Sequence, residues 1–239
     1  GPRGYLAHSD HSDARSFVLT LTEQAKSPEE QELVTELAIS LQRPDLAVVA
    51  SKHAVRLGVQ LVATGYPTAP VPKDVSRIEG ALLLAVMRQE SAFDVEAISP
   101  SGARGLMQIM PSTAKGLARN LRLPYSPEKL TSDPHYNMRL GSHYLSDLIS
   151  NFGGSYVMGV AAYNAGPSRV RAWIKAYGDP RAGAIDIIDW IELIPFEETR
   201  DYVQRVLENL QIYRTRLSEP QISASLRDDL ERPRSSAAR

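Results

Sequence analysis

The chain of 239 residues has no cysteine, which excludes disulfide bonds and thiolate-ligated metal sites. It also has almost no excess charge, because 27 Lys and Arg balance 28 Asp and Glu to a formal net charge of −1. Such a balance supplies no global positive field, so we expect no nucleic-acid partner. Long hydrophobic runs are missing as well: the apolar run Leu82–Met87 is far shorter than the roughly 20 residues of a membrane-spanning helix.

Proline-preceded helix starts and glycine stops predict a mainly α-helical chain. Ser27 before Pro28 is typical of an N-cap with proline in the first turn, and Pro44 opens another helix that Gly58 closes. We expect an all-α fold in which the turns between residues 99 and 109 hold at most a small β-ribbon. Within the helix that follows Pro28, one face carries Leu33, Leu37 and Leu41. The further predicted helices cover residues 75–90, 112–120, 137–152, 156–164, 168–177 and 197–217.

Residues 65–73 (GYPTAPVPK) interrupt the helical pattern with three prolines and one glycine. This composition predicts an extended linker and a domain boundary. We therefore divide the chain into residues 1–70, which hold short helices and the linker, and residues 71–217, which hold the later helices. Residues 218–239 are polar and mixed in charge, which predicts a disordered tail.

A glutamate at the end of the apolar run is the first candidate for chemistry. Glu90 follows Leu82–Met87, and a carboxylate at the end of a core helix would be partly desolvated, which raises its pKa. A carboxylic acid that stays protonated near neutral pH is what a general acid needs. On these residues alone, Glu90 is either such an acid or a solvated helix-end glutamate. Asp94 and Glu96, the nearest other acids, are expected to face solvent.

Three further stretches place polar side chains in apolar surroundings. Gln108 is the single amide in an apolar stretch that we interpret as a strand, and it could both donate to and accept from a ligand. Tyr163 and Asn164 precede a glycine and a proline, so they are either a helix end with a core tyrosine or part of a site. Glu192 lies between apolar residues and is either an exposed helix acid or a site group.

Metal and cofactor sites have little support in the sequence. The five histidines show no metal-ligand spacing. Gly102 and Gly105 lack the lysine and the preceding strand of a phosphate-binding loop. We therefore expect neither a metal nor a cofactor.

Three blocks in order along the chain resemble the soluble lytic murein transglycosylases, glycoside hydrolases with a goose-lysozyme-like catalytic domain. The resemblance implies that residues 71–217 form that lysozyme-like domain and that residues 1–70 end an α-superhelix. It also implies a peptidoglycan substrate and a periplasmic location, although no signal peptide is visible. The blocks are ESAFD with SPSGARGLMQIMPSTA at 90–94 and 99–114, AAYNAGPSRV at 161–170, and IELIPFEETRDYVQRVL at 191–207.

By this resemblance, Glu90 is the single catalytic residue and acts first as an acid and then as a base. The bond between N-acetylmuramic acid and N-acetylglucosamine would then break without net addition of water and leave a 1,6-anhydro muramic end. Tyr163 is expected close to Glu90, and Glu192 is expected to bind sugar rather than act as nucleophile. The residues that the resemblance assigns to the substrate groove are Ser99, Gln108, Met110, Tyr163, Asn164 and Glu192.

Two other functions remain open at this point. A goose-type lysozyme has the same fold but hydrolyses its substrate, and it would need a carboxylate that activates water. A non-catalytic peptidoglycan-binding or scaffold module would use the first helices as a platform. The expected partner is the peptidoglycan glycan strand, and the sequence identifies no protein partner in wall remodelling.

Overall fold

The computed structural model describes residues 3–71, 78–217 and 226–231, with side chains from residue 13 onward. These ranges form helices joined by turns and contain no extended strand, so the predicted all-α fold is confirmed. The predicted ribbon is reduced to two isolated antiparallel bridges, which pair Arg104 with Ile98 and with Ile109. The α-helices are α1 (Arg3–Gln24), α2 (Pro28–Ser40), α3 (Pro44–Arg56), α4 (Val62–Gly65), α5 (Gly80–Ser91), α6 (Pro111–Asn120), α7 (Lys129–Ser132), α8 (Pro134–Asn151), α9 (Tyr156–Ala165), α10 (Pro167–Tyr177), α11 (Ile187–Glu192), α12 (Glu197–Leu217) and α13 (Leu226–Glu231).

The first helices begin where the sequence predicts but bury a different face. Ser27 forms a capping box with Glu30 at the start of α2, in which each side chain accepts from the other's backbone N–H. The expected leucine face of α2 is not its core face, because Leu33 is 63% exposed. The buried residues of α2 are Gln31, Val34, Thr35 and Ala38.

The stretch predicted to be an extended linker lies against the rest of the fold. Gly65 ends α4, so the stretch begins in a helix. Tyr66 is buried and its ring meets the edge of Tyr213 on α12, whose hydroxyl donates to the carbonyl of Pro67 at 3.1 Å. The part from 72 to 77 lies outside the described residues. The domain boundary in this stretch therefore stays a prediction.

Helices α5 and α12 form the centre of the main core. The two helices pack against each other more extensively than any other pair of described helices. Seven consecutive residues of α5, from Ala81 to Met87, are fully buried. Helix α12 adds Tyr202, Val203 and Val206 to the same core at helical spacing. Glu90 therefore lies in the last turn of α5, shortly after a stretch that the core encloses completely.

The chain turns sharply after Glu90 because two consecutive non-glycine residues take left-handed backbone angles. Ala92 has a φ of 53° and Phe93 a φ of 67°. The turns that follow are fastened by Asn137 of α8, which accepts from the N–H of Met107 at 2.9 Å. Its amide nitrogen donates to the carbonyls of Arg104 and Leu130. One buried amide thus holds the turns beside the end of α5.

The polar tail contains a docked helix, so the prediction of disorder is wrong for residues 226–231. Asp229 of α13 is fully buried and binds the guanidinium of Arg214 on α12 at 2.6 Å. Arg214 also pairs with Glu79 at 2.7 Å, next to the start of α5. Composition missed this helix because the burial of Asp229 depends on partners elsewhere in the chain. The rest of the predicted tail lies outside the described residues.

Candidate active site

Glu90 reaches from the last turn of α5 towards α12. Its Oε1 accepts a hydrogen bond of 2.5 Å from the hydroxyl of Tyr202, which is 112 residues away in sequence. Tyr202 is buried, whereas Glu90 remains partly exposed. This combination gives an acid with a fixed orientation and an open side.

The environment of Glu90 favours its protonated form. Burial raises the pKa of Glu90 from 4.5 to about 7, while the hydrogen bond from Tyr202 lowers it and the charge of Glu198 raises it. Desolvation dominates because a carboxylate loses more hydration energy than a carboxylic acid when protein atoms surround it. An acid with this pKa is populated in both protonation states near neutral pH.

Tyr163 of α9 is close enough to Glu90 for the charge of the carboxylate to act on its phenol. Burial first, and the charge of Glu90 second, raise the pKa of Tyr163 well above its ordinary value. Its hydroxyl donates to the carbonyl of Met107 at 2.8 Å and so ties α9 to the turns after Glu90. Its ring packs against Tyr144 of α8, with the ring centroids 5.3 Å apart. The partly buried Tyr163 is therefore a second phenol that interacts with the acid.

Asn164, the neighbour of Tyr163, is oriented by α12. Its Oδ1 accepts from the hydroxyl of Thr199 at 2.7 Å, and Thr199 is itself buried. The bond holds the Asn164 side chain on the same two helices, α9 and α12, that present Tyr163 and Tyr202. Asn164 is partly exposed, so it can meet a ligand.

Gln108 lies in a turn rather than in the expected strand, with a φ of 49°. Its amide nitrogen donates to the carbonyls of Gly105 and Ala97, at 2.9 and 3.2 Å. The donors that the sequence suggested for a ligand are therefore used inside the turn. The amide oxygen is the part of this side chain that remains for substrate.

Ser99 also serves the turn in which it lies. Its Oγ accepts from the N–H of Ala103 at 3.0 Å and lies 2.9 Å from the hydroxyl of Ser101. Ser91, directly after Glu90, donates to the carbonyl of Leu106 at 2.8 Å. Both hydroxyls hold the turns in place beside the acid.

Met110 and Glu192 are surface residues. Met110 precedes α6 and is 39% exposed, which suits an apolar contact with a ligand. Glu192 ends α11 and is exposed, and its Oε1 lies 3.5 Å from the amide nitrogen of Gln204. The expected apolar surroundings of Glu192 lie along the chain, with Trp190 and Ile191 buried, but not around its carboxylate.

Two residues near Glu90 were not singled out in the sequence. Tyr202 and Glu198 both lie in the third resembling block, one turn apart on α12. The burial pattern of Tyr202, Val203 and Val206 marks the core face of α12, and a tyrosine on that face needs a polar partner for its hydroxyl. That pattern is a signal for Tyr202, but its partner Glu90 could not be found from spacing.

Two searches of the described residues concern other kinds of site. No group of three or more His, Asp or Glu side chains in residues 3–71, 78–217 and 226–231 is arranged to hold a metal ion. Within the same described ranges, no helix combines the length and the apolar character needed to cross a membrane.

Comparison with known families places two matches on the chain. Residues 71–185 match the transglycosylase SLT domain, and residues 193–221 match the soluble lytic transglycosylase helical domain. The first match contains Glu90 and Tyr163, and the second contains Tyr202. Glu192 lies between the two matched ranges. The helical-domain match covers α12 and a few residues on either side of it, whereas the predicted superhelical part is residues 1–70.

Several relatives match this chain over more than half of its length. The soluble lytic murein transglycosylase of Escherichia coli (strain K12) is 44% identical over 132 residues, which are 55% of this chain and 20% of that protein. The crystal structure of the 70 kDa soluble lytic transglycosylase from Escherichia coli superposes with a TM-score of 0.76 and 35% identity, over 90% of this chain and 35% of that one.

A third relative is an inactive mutant in which glutamine replaces a glutamate. This lytic transglycosylase Slt from Pseudomonas aeruginosa superposes with a TM-score of 0.76 and 33% identity, over 95% of this chain and 36% of that one. The present chain thus spans a fifth of the length of the curated relative and about a third of the solved chains.

Proposed function

We propose that this chain, which carries a transglycosylase SLT domain at residues 71–185, cleaves peptidoglycan as a lytic transglycosylase. The observation that carries the proposal is the carboxyl group of Glu90, whose pKa is raised to about 7 by burial and whose orientation is fixed by Tyr202. A group of this kind can donate a proton and take one back at the same pH. The identity to lytic murein transglycosylases supports the substrate class.

In the first step, protonated Glu90 donates its proton to the oxygen between N-acetylmuramic acid and N-acetylglucosamine. The bond from C1 to that oxygen breaks, and positive charge develops at C1 of the muramic residue. In the second step, the C6 hydroxyl of the same sugar attacks C1, and the Glu90 carboxylate takes the hydroxyl proton. The nucleophile is already part of the bound sugar, so proximity replaces an activated water.

The arrangement of carboxylates supports a single catalytic acid. Glu198 is the carboxylate whose charge acts on Glu90, and it lies exposed in the first turn of α12. Asp94 accepts from the N–H of Glu96 at 2.9 Å and so caps its own turn. Glu192 is held towards Gln204 on the surface. We therefore assign the role of nucleophile to none of these three acids.

The groove residues divide into those that touch sugar and those that hold the walls. We assign Met110, Asn164 and Glu192 to direct contact with the glycan, because each is exposed or partly exposed. Gln108 contributes through its amide oxygen. Ser99 contributes by fixing the turn that carries it.

The domain division and the location follow from the same relationship. We propose that residues 71–217 are the catalytic domain and that residues 1–70 belong to a preceding helical region. The substrate exists in the cell wall, so we place the activity in the periplasm. We propose peptidoglycan glycan strands as the binding partner of this site.

Incubation with purified sacculi tests the proposal directly. Wild-type protein should release soluble muropeptides, and Glu90→Gln should reduce the release by about 10²-fold or more because the amide cannot transfer the proton. The matched control is Glu96→Gln, a change at an exposed acid in the turn after the catalytic helix. Release by Glu90→Gln at the wild-type rate would contradict the assignment.

A further inference from the structure

Arg88 is a buried cation without a carboxylate partner. It lies on the last turn of α5, two residues before Glu90, and is 5% exposed. Among the described residues, its guanidinium donates to a carbonyl and an amide and pairs with no Asp or Glu, although a buried charge is costly unless its environment compensates it. Such an expensive group at this position requires a reason.

Three groups from outside α5 surround the Arg88 guanidinium. Its Nε donates to the carbonyl of Gly65 at 3.0 Å, and its Nη1 donates to Oδ1 of Asn209 at 3.2 Å. The guanidinium carbon lies 3.8 Å from the centre of the Tyr66 ring, which is a cation–π contact. The planar fork of arginine reaches all three partners at once, and a lysine ammonium cannot reproduce that geometry.

The partners of Arg88 are themselves fixed. A Cβ at Gly65 would lie 1.9 Å from the hydroxyl of Ser51 on α3. Helices α3 and α4 are therefore in close contact at Gly65, and this contact fixes the position of the Gly65 carbonyl. The buried Asn209 leaves its Nδ2 without a partner in the described part of the chain, so Arg88 is the group that this amide serves. Lys52 of α3 adds a contact of 3.4 Å to the carbonyl of Arg88.

On α12, Asn209 and Tyr202 are seven residues apart, which is about two helical turns, so they lie on the same face. Asn209 accepts a hydrogen bond from Arg88, and Tyr202 donates one to Glu90. The last turn of α5 is therefore attached to α12 by two side-chain bonds. One of them belongs to the catalytic acid, and the other joins the acid's helix to the segment at Gly65–Tyr66.

We propose that Arg88 is a positioning residue for Glu90, and that through it the segment Gly65–Tyr66 takes part in holding the acid against Tyr202. Arg88 touches no reacting atom in this account. It keeps the last turn of α5 closed, so that the Glu90 carboxyl stays at Tyr202 and stays desolvated. The inference rests on the proposed role of Glu90 as the acid. It further assigns a part of the predicted linker to the function of the active site.

The test replaces Arg88 with lysine, which keeps the charge but loses the fork. We expect kcat on sacculi to fall about tenfold or more, because small displacements of a catalytic group are costly. The midpoint of the Glu90 titration, followed by carbon-13 NMR of the carboxyl groups, should move down by about one pH unit as water enters. The groups that face Glu90 in this titration are Tyr202, Tyr163 and Glu198, and none of them is altered.

Arg214→Lys is the matched control. Arg214 is also a buried arginine that links α5 to α12, but it does so through Glu79 at the opposite end of α5. This variant should lower Tm and leave kcat and the Glu90 titration unchanged. If Arg88→Lys fails to fold, Asn209→Ala removes the acceptor from α12 and should shift the titration in the same direction.

Two results would overturn the inference. One is an unchanged kcat and an unchanged Glu90 titration in folded Arg88→Lys. The other is an equal effect of Arg214→Lys on both quantities, which would mean that any loosening of the two helices suffices. If wild-type protein releases no muropeptides, the proposed function fails, whereas the carboxyl titration still decides whether Arg88 positions Glu90.

Discussion

The burial that raises the pKa of Glu90 also costs the fold stability when this group is ionised. Its pKa is raised from 4.5 to about 7 in the folded chain, mainly by burial, so folding favours the protonated form. The stability that this group contributes is fully present below pH 4.5 and is lost as the pH rises through about 7. Ionised Glu90 therefore destabilises the fold above neutral pH, by about 3 kcal/mol at most.

Glu90→Gln should remove this destabilisation, because glutamine does not ionise. We expect its free energy of unfolding to equal that of the wild type near pH 4 and to exceed it at pH 8, by up to about 3 kcal/mol. Urea unfolding at the two pH values measures both quantities. A variant that is less stable than the wild type at pH 8 would mean that Glu90 is well solvated or paired when ionised.

Tyr202 shifts the pKa of Glu90 in the direction opposite to burial. Its hydroxyl donates to Glu90 and so lowers the acid's pKa, which burial has raised. Tyr202→Phe should therefore raise the Glu90 pKa further and move the alkaline limb of the kcat profile to higher pH. The rate should also fall, since the carboxylate of the second step loses its donor.

Tyr163→Phe is the control for Tyr202→Phe. The Tyr163 hydroxyl donates to the carbonyl of Met107 and not to Glu90, so the alkaline limb should stay within a few tenths of a pH unit. A Tyr202→Phe profile that moves to lower pH would show that the hydroxyl does not stabilise the carboxylate.

Among single residues, candidates that a local pattern marks were easier to predict than bonds between residues far apart in sequence. Glu90 was predicted because an apolar helix ends at it, and Tyr163 because it lies in a recognisable block. The bond from Tyr202 to Glu90 spans 112 residues, and no local pattern encodes it. The inward turn of the Gln108 amide depends on the carbonyls of Ala97 and Gly105, which its own neighbours do not specify.

Among the elements, the turns after α5 depend on one glycine more than on any other. Gly105 has a φ of 74°, and a Cβ there would lie 2.0 Å from the carbonyl oxygen of Leu130 and 2.3 Å from the amide of Asn137. These are the groups that fasten the turns beside Glu90. Gly102, in the same segment, has a φ of 90° but open space around it.

The pair of glycines makes a controlled prediction. Gly102→Ala should cost about 1–2 kcal/mol, the strain of a left-handed alanine. Gly105→Ala should cost several kcal/mol more because the clash displaces Asn137 as well, and activity per folded molecule should fall with it. Chemical unfolding of both variants measures the difference. Equal losses in the two variants would mean that the turns can move away from α8 without cost.

Helix boundaries were predictable where the signals are local. The predicted helix over residues 197–217 is α12 in full, and the one over 112–120 begins one residue late relative to Pro111. Which face of a helix is buried was not predictable for α2, because the exposed Leu33 and the buried Gln31 are distinguished only by their neighbours. Helix α13 was missed for the same reason, since Asp229 is buried by Arg214 on α12.

For the whole molecule, the central question is which nucleophile attacks C1. Glu198 is the carboxylate whose charge acts on Glu90, so a hydrolytic mechanism on this fold would recruit it or Glu192 to activate water. In our account neither acid is needed, because the sugar supplies its own hydroxyl. Glu198→Gln and Glu192→Gln should therefore change the rate of cleavage without changing the product that forms.

Digestion of sacculi in H₂¹⁸O, followed by mass spectrometry of the muropeptides, is the most direct test. Wild-type protein and both glutamine variants should leave 1,6-anhydro muramic ends, which are lighter than reducing ends by one water and carry no label. A parallel digest with Glu90→Gln protein, purified in the same way, controls for contaminating hydrolases. Predominantly labelled reducing ends from the wild type, lost in Glu198→Gln or Glu192→Gln, would contradict the transglycosylase mechanism and identify the missing base.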